Sequence, residues 1–335
     1  MKLSYRTRQL IRRILSVTAM TLIVTLVLSL CTLLWLQRFV VYTDEGAKLV
    51  FGRPKTEAQS VLPQPQTLPS VTIHYSNDPF RESLPQLNGY YIDPEDLMDD
   101  PDAVRQQLES LPAGTPVLLD VKGYRGYFYY STRIGQNTSS SYDISKMDDL
   151  IRWLSGSDLY VIARMSALRD FDLVWNDPSC GLTLSSGALY YDRGDYGLGY
   201  WLDPNDDTVM HYLIQVIREL RDKGFDEVVL QNFCFPEANN LAFTGDRNAA
   251  LADAAAELLA ACATDSFTLS FASENPGFSL PEGRCRLYLE GIAPQNAQAA
   301  WNTAALEEKR LYLVFIAPDA DDRYNIENGI LRPLP

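Results

Sequence analysis

Aromatic rings and carboxylates are interleaved along residues 173–204, which hold Trp175, Tyr190, Tyr191, Tyr196, Tyr200 and Trp201 beside Asp192, Asp195 and Asp203. Such a mixture suits sugars. The apolar face of a pyranose packs on an aromatic ring, and carboxylates take hydrogen bonds from its hydroxyls. A long loop also needs aromatic rings to pack itself down, and the residues alone leave both readings open. Trp175, Trp201 and Asp203 are the candidates for substrate contact in this stretch. Further polar residues stand where short apolar runs end: Asp120 and Lys122, Arg164, Gln231 and Asn232, Glu274, and Glu290. Asp120 and Lys122 are two apart, so on a regular strand they face the same side. There they would form an ion pair that Arg164 on the next run can join. A buried pair of this kind can also be purely structural.

Other chemistries find little support. The two histidines, His74 and His211, are too few for most imidazole chemistry, and His211 falls on the polar side of a helix. No GxSxG, P-loop or dinucleotide-binding glycine pattern occurs. The cysteines outside the N-terminal apolar stretch (Cys180, Cys234, Cys262 and Cys285) are scattered, with no CxxC pair. That is neither a disulfide framework nor a zinc site, and buried thiols are the expectation. No metal or cofactor is expected. Asn137-Thr138-Ser139 is a glycosylation acceptor pattern whose meaning depends on the host.

The elements that position these residues alternate. Apolar runs of five to seven residues occupy Gly89–Asp93, Pro116–Lys122, Leu159–Met165, Glu227–Phe233, Phe267–Ala272, Arg286–Ile292 and Leu311–Ala317. Their nearly continuous apolar character is that of parallel strands buried on both faces. Helical periods lie between them: Met147, Leu150, Ile151 and Leu154; then Val209, Leu213, Val216, Ile217 and Leu220, with Asp207 and Thr208 as cap and Gly224 as stop. Ala249–Ala263 and Asn296–Glu308 are further helices, the second with Trp301 on its buried side. Alternation of this kind defines an α/β fold, and seven strands in one order predict a (β/α)8 TIM-like barrel over 71–335. The eighth strand is expected to be irregular or missing, with Val71–Ser76 as an extra strand at the start. In such barrels function sits at the C-terminal strand ends, where the polar residues named above fall.

The N-terminal part has another character. Six basic residues and no acid lie in the first 38, leaving 23 basic against 43 acidic residues beyond, a formal −20. That field repels nucleic acid and anionic lipid and suits neutral or cationic ligands. Ile14–Leu36 contains no charge and, at ~1.5 Å per residue, is ~35 Å long, enough to cross a bilayer core. Five basic residues precede it, so a cytoplasmic tail (1–13), one transmembrane helix (14–36) and an extracytoplasmic domain are expected, the anchor being uncleaved. Residues 37–70 read as a juxtamembrane piece, with a hairpin around Asp44-Glu45-Gly46, followed by an extended Pro-rich linker.

Several motifs resemble one family. Leu118-Leu119-Asp120-Val121-Lys122 with Arg125-Gly126-Tyr127 resembles the second-strand motif of the glycoside hydrolase-like family grouped as domain of unknown function 4015. Tyr160–Arg164 with Asp170 resembles its third-strand motif, Leu202-Asp203-Pro204 its Asp-Pro before the next helix, and Gly224–Glu227 through Phe235-Pro236 its fourth-strand motif. The resemblance covers roughly 89–320 and implies a TIM barrel and a carbohydrate-related role. It also implies an Asp ending the fourth strand and an Arg before Phe-Pro. Here Gln231 and Asn232 stand at the first place and Cys234 at the second. Hydrolysis of a glycoside needs two carboxyl groups across the scissile bond, and an amide can neither give nor take the proton. Two readings follow. One is a membrane-anchored hydrolase of a polysaccharide, such as one of the cell envelope, with its catalytic pair drawn from Asp120, Glu290 and Glu274. The substrate would then meet Lys122, Arg164, Trp175, Asp203, Trp201, Gln231 and Asn232. The other is an inactive barrel that binds a glycan as a tethered recognition or scaffold module.

Overall fold

The computed structural model describes residues 40–43, 46–49 and 84–335, except 135, 136, 195, 196, 307 and 320. The expected cytoplasmic tail, transmembrane helix, Pro-rich linker and Val71–Ser76 strand lie outside the described residues, as do Asp195 and Tyr196. No helix among the described residues is long and apolar enough to cross a membrane. In the N-terminal unit, Val40–Thr43 pairs antiparallel with Gly46–Leu49, a hairpin where one was expected.

The second unit, over the described residues 84–335, is a closed parallel barrel. Its strands are β1 (Asn88–Tyr91), β2 (Pro116–Lys122), β3 (Tyr160–Ser166), β4 (Glu227–Gln231), β5 (Thr268–Ser273), β6 (Leu287–Leu289), β7 (Leu313–Ile316) and β8 (Gly329–Pro333). Between them lie α1 (Pro94–Asp99), α2 (Pro101–Leu108), α3 (Ile144–Leu154), α4 (Phe171–Asn176), α5 (Asp207–Asp222), α6 (Arg247–Cys262), α7 (Ala297–Thr303) and α8 (Lys309–Tyr312). The expected irregular or missing eighth strand is corrected: β8 pairs with β7 through Val314 and Gly329 and with β1 through Leu331 and Gly89, closing the ring. A Cβ on Gly329 would come within 2.9 Å of Val314 and 3.2 Å of two backbone oxygens, so only glycine lets β8 enter at this spacing.

The continuous apolar runs have the expected cause. Leu118, Ile162, Val229, Ala272, Tyr288, Val314 and Leu331 point inward and pack together. Val117, Leu119, Val161, Ala163, Val228 and Leu269 point outward against the helices. Helix α3 buries Met147, Leu150, Ile151 and Leu154, and α5 buries Val209, Leu213, Val216, Ile217 and Leu220. The cap of α5 is Asp206, one residue earlier than expected; its carboxylate takes the N–H groups of Thr208 at 2.8 Å and Val209 at 3.2 Å. Gly224, at φ +94°, ends that segment. The helix expected over 296–308 stops at Thr303, because Ala304 turns to an extended conformation and buries itself beside β6 and β7.

At the N-terminal end the barrel is filled by a polar plug. Glu227 and Arg286 form an ion pair with no exposed side-chain surface. Ser270 Oγ (2.5 Å) and Tyr288 (2.9 Å) donate to one oxygen of Glu227, and Tyr160 (2.9 Å) to the other. Arg286 also donates to the carbonyl oxygens of Leu311 (3.1 Å) and Pro85 (2.8 Å). Every group is satisfied, so the plug closes one end and leaves the other for function.

Candidate active site in the barrel mouth

Arg164, inward on β3, organises the C-terminal end. Its Nε and Nη2 donate to the two oxygens of Asp120 at 2.6 and 2.9 Å, a bidentate fork. Its Nη1 donates to Glu290 Oε1 at 2.6 Å. Gln231, at the end of β4, donates from Nε2 to Glu290 Oε2 at 2.9 Å. Four residues from four strands thus form one chain: Asp120, Arg164, Glu290, Gln231. Burial alone would draw the guanidinium pKa down, but the two carboxylates and their hydrogen bonds hold it above its ordinary value. Asn232, at φ +54°, turns the chain out of β4, and its side-chain oxygen accepts from Ser166 Oγ at 2.9 Å. That left-handed turn is sparsely populated for a residue with a Cβ and marks the mouth as locally constrained.

A cavity of about 630 Å³ opens at this end, lined among others by Tyr91, Arg164, Gln231, Glu274, Glu290 and Ile316. Asp120 is not on its wall; it stands behind Arg164. The carboxylates facing the cavity are Glu290 and Glu274. Glu290 has both oxygens bonded, whereas Glu274 is exposed and makes no hydrogen bond or ion pair among the described residues. The Tyr91 phenol is pushed above its ordinary value, by burial first and by Asp93, against Arg164.

Lys122 is elsewhere, which corrects the expected Asp120–Lys122 pair. The register of β2 on β3 shifts between the two: Asp120 lies opposite Arg164 but Lys122 opposite Met165, an outward residue. One extra residue in β2 reverses the alternation. Lys122 Nζ therefore leaves the barrel interior and pairs with Asp170 at 2.7 Å, both side chains fully buried, and donates to the carbonyl of Ser166 at 2.9 Å. Asp170 also takes the α4 N–H of Leu173 at 2.8 Å and the hydroxyl of Tyr212 at 3.2 Å. The pair anchors α4 and cannot reach a ligand in the mouth.

The aromatic loop is built, not loose. Residues 191–194 and 197–200 form an antiparallel hairpin. Arg169 pins it, lying 4.0 Å over the Tyr124 ring and pairing with Asp192. Trp201 donates from Nε1 to the same Asp192 at 2.9 Å and is only 6% exposed. Trp201 is thus a packing residue. Asp203 closes a turn by accepting from Asn205 N–H at 2.9 Å. Trp175 alone of the loop's substrate candidates presents a broad open face. Asp192 stood out from sequence as one of the loop's carboxylates but not as a partner of Arg169, which was not a candidate although it sits just beyond a strand end. Cys180, Cys262 and Cys285 are buried and Cys234 is exposed, and none of them is in a disulfide among the described residues. Among the described residues no group of His, Cys, Asp and Glu is arranged as a metal site.

A closed parallel eight-stranded barrel with its bonded carboxylates at the C-terminal strand ends defines a TIM-like barrel with a candidate site in the usual place. In the comparison with known families, residues 108–266 match the family described as "Putative glycosyl hydrolase domain", domain of unknown function 4015. The match takes in β2, β3 and β4, hence Asp120, Arg164 and Gln231; Glu274 and Glu290 lie beyond it. No curated protein is similar in sequence. Among solved structures, a hypothetical protein of Ruminiclostridium thermocellum is 21% identical, over 55% of this chain and 96% of that one, with a TM-score of 0.43. A family 20 exo-β-N-acetylglucosaminidase from Vibrio harveyi is 8% identical, over 70% and 41%, with a TM-score of 0.48. A family 36 α-galactosidase from Geobacillus stearothermophilus is 12% identical, over 76% and 40%, with a TM-score of 0.48. This chain spans less than half the length of either glycosidase.

Proposed function

We propose that the chain is a membrane-tethered, extracytoplasmic glycoside hydrolase whose barrel mouth takes a polysaccharide, with Glu290 and Glu274 as the carboxyl pair. The observation that carries this is the open cavity on whose wall both glutamates stand, one fixed by Arg164 and Gln231 and the other exposed. Water adds to the anomeric carbon and gives its proton to one carboxylate, while the glycosidic C–O bond breaks and the leaving oxygen takes a proton from the other carboxyl group. Asp120 is a positioning residue here: it holds Arg164, which holds Glu290. The cavity's single guanidinium is bound to Asp120 and Glu290, so an anionic sugar finds no free cation. Neutral or amino sugars fit better. Binding without cleavage is the second reading, favoured by Gln231 standing where the family carries an acid.

The test uses the full chain in detergent micelles with cell-envelope polysaccharide, chitosan and neutral glucans, following new reducing ends and binding together. New ends that disappear in Glu290→Gln and in Glu274→Gln are expected. Binding without new ends, unchanged in both variants, would sink the hydrolase reading and leave the glycan-binding one.

A further inference from the structure

Two large apolar side chains are strongly exposed among the described residues, Trp175 at 67% and Tyr191 at 56%. Single exposed apolar residues are ordinary. These two, however, are the opposite ends of one ordered array. Trp175 stacks on Phe171 with centroids 5.7 Å and planes 12° apart. Phe171 stacks on Tyr200 at 5.3 Å and 24°. Tyr191 meets Tyr200 edge-on at 6.0 Å and 78°. The array stands on fixed ground: α4 supplies Phe171 and Trp175, and the hairpin pinned by Arg169 supplies Tyr191 and Tyr200. One face of Trp175 is covered by Phe171, so the ring is already oriented and its other face is open.

Polar groups edge the stack. The Arg125 guanidinium lies 4.4 Å from the centre of Phe171 and donates to the carbonyl of Leu198 at 3.4 Å. Asp172 accepts from Asn137 Nδ2 at 2.6 Å on one oxygen, with no hydrogen bond on the other among the described residues. None of these residues lines the mouth cavity. An oriented indole with donors and acceptors at its rim is the surface a pyranose recognises, apolar C–H face on the ring and hydroxyls outward. Rigid rings also lose little conformational entropy on binding.

We propose that the Trp175–Phe171–Tyr200–Tyr191 array is a second carbohydrate site, outside the mouth, that takes equatorially linked pyranose units on the open face of Trp175, with Arg125 and Asp172 meeting their hydroxyls. This rests on the reading of the domain as carbohydrate-directed, but not on cleavage in the mouth. A site of this kind holds the polymer while the mouth works on it, adding avidity without new chemistry.

Acrylamide quenching of tryptophan fluorescence tests it on the full chain in micelles, with cellohexaose, chitohexaose and mannohexaose as probes. Trp175 is the exposed fluorophore of the domain, so at least one hexaose is expected to reduce quenching about twofold by covering that ring. Trp175→Ala removes the protected component, Tyr191→Ala weakens binding, and Glu290→Gln retains the protection. Protection by none of the three sugars overturns the proposal. So does protection lost equally in Glu290→Gln, because the ring then only reports the mouth. Self-association that Trp175→Ala abolishes, with no sugar effect, also overturns it and makes a second copy of the chain the occupant. Absence of new reducing ends with protection retained fails the hydrolase reading alone.

Discussion

Arg164 carries two carboxylates at once, and this makes it the residue on which the mouth depends. Its side chain is 14% exposed, as are its partners to a similar degree at 17% each, so solvent screens the triad only partly. Removing the cation leaves Asp120 and Glu290 near one another without compensation. Arg164→Leu is expected to lower stability by about 3 kcal/mol, because breaking a buried pair strands its partners. Adding Asp120→Asn to that variant recovers part of the loss, since one of the two stranded charges is then gone. Urea unfolding of the three proteins checks this; an Arg164→Leu midpoint equal to that of the parent would remove the structural role given to Arg164. At this scale the sequence was half legible. Arg164 and Asp120 were expected together because they end adjacent apolar runs. Lys122 was misplaced because the two-residue alternation holds only on an unbroken strand. The extra residue in β2 leaves no mark in residue types, and Asp170, the true partner, lies 48 positions away. The aromatic loop was ambiguous for a related reason. Trp175 and Trp201 look alike in sequence, and only the fold shows that Trp201 is the buried one, packed with Leu182, Ala238 and Leu241 and bonded to Asp192.

Strands and helices were read more securely, since they rest on many residues at once. Pro116–Lys122 was found with its ends intact, and the face of α5 was read except for Met210, which is buried beside Val209. β8 was missed because Gly329-Ile330-Leu331-Arg332-Pro333 has too short an apolar core to announce a strand, and what secures it is the gap between β7 and β1. Junctions between elements hold charges that periodicity does not reveal. Asp226, just before β4, accepts the N–H of Val161 at 2.8 Å and so ties the start of β3 to β4. Its carboxyl is pushed above the ordinary value, chiefly by desolvation, with the Val161 N–H acting against the shift. A carboxyl raised in the folded state favours folding fully below its unfolded value of about 3.9, and that contribution is lost as pH rises through the folded value. At neutral pH the charge therefore costs stability. Asp226→Asn keeps an acceptor for Val161 and removes the charge, so it is expected to raise the melting temperature at pH 7 by about 1–2 °C, a fraction of a kcal/mol for a part-exposed group. The gain should shrink as pH falls and vanish below about pH 4. Melting curves from pH 7 to 4 read this directly, and a gain that grows on acidification contradicts the sign.

For the whole barrel, the two ends are built on opposite principles from the same residue types. The mouth leaves Glu274 without a partner and Gln231 in contact with a carboxylate beside open space. The base gives every polar group of Glu227, Arg286, Tyr160, Ser270 and Tyr288 a partner and buries all of these residues but the half-buried Tyr160. The phenol of Tyr288 is accordingly held far above its ordinary value, by burial first and then by the Glu227 charge. This asymmetry was invisible in sequence, where Glu227 and Arg286 are merely polar residues at the starts of two apolar runs. Eight strands arriving from 84–335 meet at that base, so its failure is not local. Glu227→Gln leaves Arg286 charged and buried with only carbonyl and hydroxyl partners, and is expected to cost about 3–5 kcal/mol. The double variant Glu227→Gln with Arg286→Met removes the stranded cation, and its loss should be distinctly smaller than that of the single one, which is a coupling only residues in contact can show. Chemical unfolding of parent, singles and double provides the cycle. Additive losses would mean that the pair is not coupled and that closure of the ring by β8, together with its apolar interior, holds the base without it.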